Sequence, residues 1–279
     1  MTDTVSEKTH AEQIASGERF AFGANWSSFL KVLNEDRIRQ AVESLKAMLE
    51  VETLAGKRFL DIGSGSGLFS LAAKRLGASV VSFDYDPQSV ACTNELRNRF
   101  FNADGNWEVK TGSALDVNFL RSLGEFDIVY SWGVLHHTGD LWAALNNVDK
   151  NVSSTGKLFI SIYNDQGVIS RYWSFVKRTY TKYSLTRPVF IFIHGLYPTL
   201  PSMLLKVIRN RKYVRGMNVW YDLLDWLGGY PFEVAKPEKI FDFYKARGFG
   251  LVKLKTVGGK MGCNEYVFER LNPAQELAR

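Results

Sequence analysis

The sequence predicts an α/β protein: a doubly wound, mostly parallel sheet with an antiparallel terminal strand, interrupted by a helical insertion before its last helix. Three observations carry this expectation. Short apolar runs alternate with segments of helical period from residue 37 to residue 163, the pattern of parallel strands joined by crossover helices. The first of those strands is followed by the glycine-rich turn Gly63-Ser64-Gly65-Ser66-Gly67, which opens a helix. Two further strands, joined by "GGKMGCN", close the chain.

Taken in order, Ile38, Ala41, Val42, Leu45, Met48 and Leu49 recur at helical spacing and give an amphipathic helix over 37–49. The first strand is 58–62. Beyond the glycine turn, 68–76 reads as a helix stopped by Gly77, and 78–84 as a buried strand. A helix is expected over about 88–101, strands at 107–111 and 126–130, a helix near 140–152 and a strand at 157–163. From Asn164 to about Val234 the alternation gives way to an aromatic and basic stretch; 237–247 then reads as a helix, with strands at 251–257 and 265–270. The expected organisation is an N-terminal helical cap (1–56), a cofactor-binding core (57–163), a helical lid insertion (164–236), and the last helix with the terminal hairpin (237–279).

Composition narrows the class. A chain of 279 residues, 46% hydrophobic and 23% charged, can bury a sizeable core and does not fit a disordered protein. Cys92 and Cys263 stand far apart, without the spacing of a zinc site or a disulfide framework. The opening "MTDTVSEKTHAEQIASGE" is polar, unlike a secretory signal, so a reducing, cytoplasmic setting is expected. The net charge of +6 is modest, and its placement matters more than its sum.

A strand, a glycine turn and a helix N-terminus place free backbone N–H groups at the carboxyl edge of the sheet, where nucleotides bind. The dinucleotide pattern G-x-G-x-x-G needs glycine at position 68, which is Leu68; the third glycine comes one residue early, at Gly67. Asp61 precedes the turn by two residues. A carboxylate there repels a pyrophosphate and attracts an ammonium or sulfonium, which selects S-adenosyl-L-methionine as the expected cofactor. Asp84 ends the second strand 21 positions after Gly63, where its carboxylate can accept from both ribose hydroxyls.

With "LDIGSGSG", "VVSFDYDP", "TGSALD" and "FDIVYSWGVLHHTGD" in that order, the sequence resembles the class I S-adenosylmethionine-dependent methyltransferases. The resemblance covers roughly 57–163 plus the terminal hairpin. Within the family the chain looks like bacterial small-molecule O-methyltransferases and those of ubiquinone biosynthesis. It implies a Rossmann-like sheet of seven strands. It also implies that Gly63, Ser64, Gly65 and Gly67 pass beneath the methionine portion, that Asp61 contacts that portion directly or through water, and that Asp84, with Tyr85 beside it, holds the ribose. Ser113 stands where many relatives carry an aspartate to the adenine amino group, which leaves adenine to Ser113 and the backbone of Ala114 and Leu115. Ser131 and Trp132, at the end of the fourth strand, complete the implied cofactor set.

His136 and His137 follow that strand, where an acceptor would lie, in a chain with four histidines. An imidazole there can take a hydroxyl proton near neutrality, so both are candidate catalytic bases; capping the next helix or packing beneath the cofactor is the alternative. Asn164-Asp165 resemble the metal-binding pair of catechol O-methyltransferases, yet Ser131-Trp132 stand where those enzymes place a further acid. An octahedral site would lack a ligand, so no metal is expected, and Tyr163, Asn164 and Asp165 are assigned to the acceptor instead. Trp26, in "FGANW", either closes over the cofactor or anchors the N-terminal segment.

In the insertion, Tyr172, Phe175, Val176, Thr179, Tyr180 and Tyr183 share a helical face, with Arg171, Arg178 and Lys182 beside it. "RPVFIFIHGLYPTLPSMLLKVIRNRKYVR" follows, an apolar run between cations. Gly195, Pro198 and Pro201 break it, so two short amphipathic helices fit better than a membrane span. Tyr172, Trp220 and Asp222 are expected to face the acceptor. The segment reads as an acceptor lid whose apolar face packs on the protein, on another subunit of a homo-oligomer, or on an anionic membrane surface. The expected reaction is methylation of a hydroxyl on a small molecule such as a sugar or phenol. Methylation of tRNA is a second reading, opposed by the absence of a separate nucleic-acid module, and non-catalytic binding of S-adenosylmethionine is a third.

Overall fold

The computed structural model describes residues 9–101, 105–196 and 219–271. Its strands are β1 (Arg58–Ile62), β2 (Ser79–Asp84), β3 (Trp107–Thr111), β4 (Phe126–Trp132), β5 (Val152–Tyr163), β6 (Phe249–Lys255) and β7 (Cys263–Arg270). They form one sheet in the order β3-β2-β1-β4-β5-β7-β6. Pairing is parallel from β3 through β5, whereas β7 runs antiparallel to both β5 and β6. The expected seven-stranded, mostly parallel sheet is therefore present. Its strand order reverses between β1 and β4, which opens a crevice at their carboxyl ends.

Helices precede and cover the sheet. In chain order they are α1 (His10–Ala15), α2 (Gly23–Lys31), α3 (Glu35–Leu49), α4 (Leu68–Arg75), α5 (Pro87–Phe100), α6 (Val117–Leu123), α7 (Leu141–Val148), α8 (Val168–Lys182), α9 (Arg187–Ile191), α10 (Val219–Gly228) and α11 (Pro237–Lys245). Alternate residues of each interior strand serve opposite layers. Phe59, Ile128, Tyr130 and Phe159 pack with Ile38 and Leu45 of α3 and Leu71 of α4. Leu60, Ile62, Val129 and Ile160 pack instead with Leu120 of α6, Leu145 of α7 and Ile240 of α11. With both faces covered, these strands read as continuous apolar runs.

A third, smaller core lies in the insertion. Val176 and Tyr180 of α8 and Leu227 of α10 pack together, with Phe20 from the N-terminal segment against them. Gly228 is required there, because a Cβ would meet the Phe20 ring at 2.1 Å. Segments distant in sequence thus cover the same edge of the sheet.

Three elements depart from the sequence expectation. β5 starts at Val152, five residues early, because Val152 pairs with Phe126 across a register shift; the intervening Ser153, Ser154 and Thr155 carry no apolar signal. α7 stops at Val148, followed by a 3-10 turn in which Asn151 Nδ2 donates to the carbonyls of Leu120 (2.8 Å) and Gly124 (2.7 Å). In the insertion, α9 leads into a wide turn (Phe192–Leu196), and the remainder of the apolar run, with its second expected helix, lies outside the described residues. Among the described residues, no helix is long and apolar enough to cross a membrane.

Phe159 lies at the centre of β5, 1% exposed, with its ring 5.1 Å from Tyr130. Phe159→Ala should lower the unfolding free energy by about 3–5 kcal/mol. Denaturant titration should show this as a lower midpoint at unchanged slope.

Candidate functional site

The turn between β1 and α4 has left-handed backbone at Gly63, Gly65 and Gly67, with φ of 75°, 54° and 79°. Side chains disfavour that conformation, and close neighbours add a second reason for glycine. A Cβ on Gly63 would meet Val134 at 2.4 Å, and one on Gly65 would meet the Trp26 indole at 2.9 Å. Trp26, from α2, therefore covers the middle of the turn. The Gly63 and Ser64 amides donate to the Phe83 carbonyl (2.8 and 3.1 Å), and the Gly65 amide donates to Asp84 Oδ2 (2.9 Å). Ser64 Oγ sits 2.9 Å from Thr93 Oγ1 of α5.

Two acids flank this turn. Asp84, half-buried at the end of β2, also accepts the Asp86 amide at Oδ1 (2.9 Å). Asp61 is buried in β1 and reached by a chain of hydroxyls. Trp107 Nε1 donates to Ser82 Oγ (2.9 Å), Ser82 Oγ lies 2.7 Å from Ser70 Oγ, and Ser70 donates to Asp61 Oδ2 (2.5 Å). An indole N–H only donates and each serine has one proton, so every bond in the chain points towards the carboxylate. Burial raises the Asp61 pKa to about 7, with the neighbouring Asp84 charge adding to the rise and Ser70 opposing it. Burial likewise raises Asp84 to about 6, opposed by the backbone amides it accepts.

The N-terminal segment straps this edge. Arg19 donates to the carbonyls of His137 (2.9 Å) and Thr138 (3.1 Å), and its guanidinium carbon lies 5.0 Å from the centre of the Tyr85 ring. One side chain thus spans the ends of β2 and β4. The Gly23 amide, at the start of α2, donates to Asp86 Oδ2 (2.8 Å), and the Phe22 ring sits 5.2 Å from that of His137.

The two histidines differ. His136 is fully buried, its ring 4.1 Å from that of Tyr163 and 4.6 Å from that of His137. Burial holds its pKa well below the usual histidine range, helped by His137 and by the cation of Lys177. His137 is half-buried, with Nδ1 2.5 Å from the Pro231 carbonyl. A carbonyl only accepts, so Nδ1 carries the proton and Nε2 keeps its lone pair. Burial lowers the His137 pKa to about 3, against the opposing pull of that carbonyl, so the ring is neutral at physiological pH. Tyr163 continues the wall with Phe232 at 5.1 Å and Trp226 at 6.0 Å.

A family model described as a methyltransferase domain matches residues 33–191, more than half of the 279. The chain belongs to this methyltransferase-domain family. It is 32% identical over 111 residues to a ubiquinone biosynthesis O-methyltransferase of Xanthomonas oryzae pv. oryzae (strain PXO99A), covering 40% of this chain and 45% of that protein. Similarity to the mitochondrial ubiquinone biosynthesis O-methyltransferase of Schizosaccharomyces pombe is 29% over 135 residues, 48% of this chain and 47% of that protein. The chain thus spans about half the length of these relatives. Among solved structures, an O-methyltransferase family protein from Burkholderia thailandensis aligns with a TM-score of 0.54 at 13% identity, over 95% of this chain and 68% of that one. Magnesium protoporphyrin IX methyltransferase from Synechocystis PCC 6803, solved with SAH, aligns with a TM-score of 0.51 at 16% identity, over 85% and 88%. These two likenesses show the fold.

Within the methyltransferase domain, the expected site residues fall into two groups. Asp61, the glycine turn, Asp84, Tyr85, His136, His137 and Tyr163 border the carboxyl edge of β1, β2, β4 and β5. Most of the others carry bonds or contacts of their own within the chain. Ser113 Oγ accepts the Leu115 amide (3.1 Å), and the Ala114 and Leu115 carbonyls accept from Asn147 Nδ2 (3.2 and 3.3 Å). Ser131 is buried and donates to the Ile62 carbonyl (3.1 Å), which ties β4 to β1, while Trp132 packs against the layer of α3 and α4. Asn164 Oδ1 accepts from Asn264 Nδ2 (3.1 Å), and Asp165 Oδ1 accepts the Gly167 amide (2.8 Å), so both organise the backbone around β5. Tyr172 faces outward, 49% exposed, with its hydroxyl 2.8 Å from His194 Nε2. Trp220 and Asp222 fall on α10, but their side chains lie outside the described set. Sequence reasoning missed Arg19, Ser70, Ser82 and Trp107. Only Ser82 carried a signal, as a polar residue inside the buried run Val80-Val81-Ser82-Phe83.

The raised acids make stability depend on pH. The folded-state pKa of Asp61 stands above its ordinary 3.8, so the unfolded chain ionises first as pH rises. The stability this group contributes is complete below about pH 4 and lost by about pH 7. Asp61→Asn should therefore melt above the wild type at pH 8, with the difference shrinking towards pH 5. Thermal scans in matched buffers would read it.

Proposed function

We propose that the protein transfers the methyl group of S-adenosyl-L-methionine to a hydroxyl of a small aromatic molecule. One observation carries this reading: Asp61 and Asp84 are held on either side of the glycine turn, each with its proton affinity raised and Asp84 adding to that of Asp61. A cationic ligand relieves that strain, and the cofactor carries both a sulfonium and an ammonium. Asp84 still has lone pairs for ribose hydroxyls beside the amides it accepts. Trp26 and Arg19 supply the cover that keeps water out. The names of the relatives from Xanthomonas oryzae and Schizosaccharomyces pombe specify O-methylation, in agreement with this reading.

The cofactor supplies an electrophilic methyl carbon with a neutral thioether as leaving group. The chain's own work is to hold the acceptor in line and to take its proton. His137 does the second, because its Nε2 is the unprotonated nitrogen and Pro231 fixes that tautomer. The neutral ring is free to accept a proton at physiological pH, and among candidate acceptors a phenol, with pKa about 10, gives up its proton far more readily than a sugar alcohol. The rings of Tyr163, Trp226 and Phe232 offer a wall on which a planar acceptor can stack. His136, fully buried with its ring 4.1 Å from that of Tyr163, packs behind that wall.

Cofactor affinity should rise with pH through about 6 to 7, as Asp61 and Asp84 lose their protons, and level off above. Calorimetric titration between about pH 5.5 and 8.5 would read the slope; a flat profile would remove the two acids from the site. Asp84→Asn should weaken binding roughly ten- to a hundred-fold. His137→Ala should lower kcat roughly a hundred-fold on a phenolic acceptor, with cofactor affinity unchanged. Full turnover in that variant would leave positioning as the sole mechanism.

A further inference from the structure

We propose that the outward face of the insertion, α8 through α9, docks on an anionic membrane surface. This goes beyond methyl transfer and does not depend on it. The apolar arc of α8 is wider than its inward contacts need. Val176 and Tyr180 point inward and pack with Leu227. Val168, Tyr172 and Phe175 recur at helical spacing on the adjoining outer flank, with Phe175 64% exposed. The segment that follows keeps this character: Leu185 is 91% exposed and Phe192 66%. So many large apolar side chains in solvent mark an interaction surface.

Charge selects the partner. Arg171, Arg178 and Lys182 are exposed among these residues, and none of the three forms an ion pair with a described residue; Arg187, also exposed, donates to the carbonyls of Tyr180 (3.2 Å) and Thr181 (3.4 Å). No aspartate or glutamate occurs from Gln166 to Leu196, and in the sequence the carboxylate-free run continues to Tyr221. A second copy of this chain would cover the apolar residues but set these cations against their own kind. RNA would account for the cations, but Leu185, Val189 and Phe192 offer aliphatic bulk more than stacking planes. An anionic bilayer uses both, taking apolar side chains into the interfacial zone and cations to its headgroups. The length of the element agrees, since α8 and α9 can lie in that zone and neither can cross it.

The full chain should co-sediment with vesicles of phosphatidylglycerol and phosphatidylcholine at low salt, detach when salt is raised to about 0.5 M, and bind pure phosphatidylcholine weakly. Arg178→Glu with Lys182→Glu should lower the partition coefficient roughly tenfold or more. Phe175→Ser with Leu185→Ser should lower it through the apolar contribution alone, and both variants should keep the wild-type melting temperature. If one variant fails to fold, Leu185→Glu tests both contributions at a position where folding has little to lose. Absence of sedimentation with anionic vesicles at low salt would overturn the proposal, as would folded variants that bind like the wild type. Release from vesicles by competing tRNA, or a dimer in sedimentation velocity that the Phe175 and Leu185 substitutions dissolve, would overturn it in favour of nucleic acid or a second copy.

Discussion

The carboxyl edge of this sheet depends on one constraint: the chain must turn from β1 into α4 within five residues while three of them adopt left-handed backbone. For an ordinary residue such a conformation costs about 1–2 kcal/mol, and here the absence of Cβ atoms also lets other elements in. Val134 closes on Gly63, Trp26 lies on Gly65, and Thr93 of α5 lies 3.0 Å from where a Cβ on Gly67 would stand. The same turn directs its amides to Phe83 and Asp84, which locks the end of β1 to the end of β2. The acids keep their relative placement because this corner is rigid.

Asp61 illustrates how a buried carboxylate is kept in one orientation. Its neighbours in β1 are apolar and buried, so ionisation there is disfavoured. The line of donors from Trp107 through Ser82 and Ser70 compensates in part, and it also forbids the side chain from rotating, since any other rotamer would leave a hydroxyl proton unpaired. The result is an anion that is difficult to form and easy to aim. A ligand of opposite charge meets both properties at once.

Much of the fold was legible because its signals are local. The apolar period of α3, the glycine turn and the Val80–Phe83 run each report on structure within a few residues. The expected acids and histidines gathered at one edge for the same reason: Asp61 is next to last in β1, Asp84 ends β2, the histidines sit in the turn that follows β4, and parallel strands end together. What stayed hidden required knowledge of distant partners. Ser113 and Ser131 look available in sequence, yet the Leu115 amide and the Ile62 carbonyl engage them. Arg19 looks like any surface cation until the strap brings it across to residues 137 and 138. Tyr172 shares a sequence stripe with inward residues, but the rotation of α8 places it on the outside.

The position of β7 has a consequence for how the molecule is made. It lies between β5 and β6 although it is read out after every other strand. Until it arrives, β5, the longest strand of the sheet, presents an unpaired edge with Leu158, Ile160 and Ile162 along it. The parallel strands alone therefore cannot seal the sheet, and a copy in which β7 has not paired leaves that edge free to pair with the same edge of another copy.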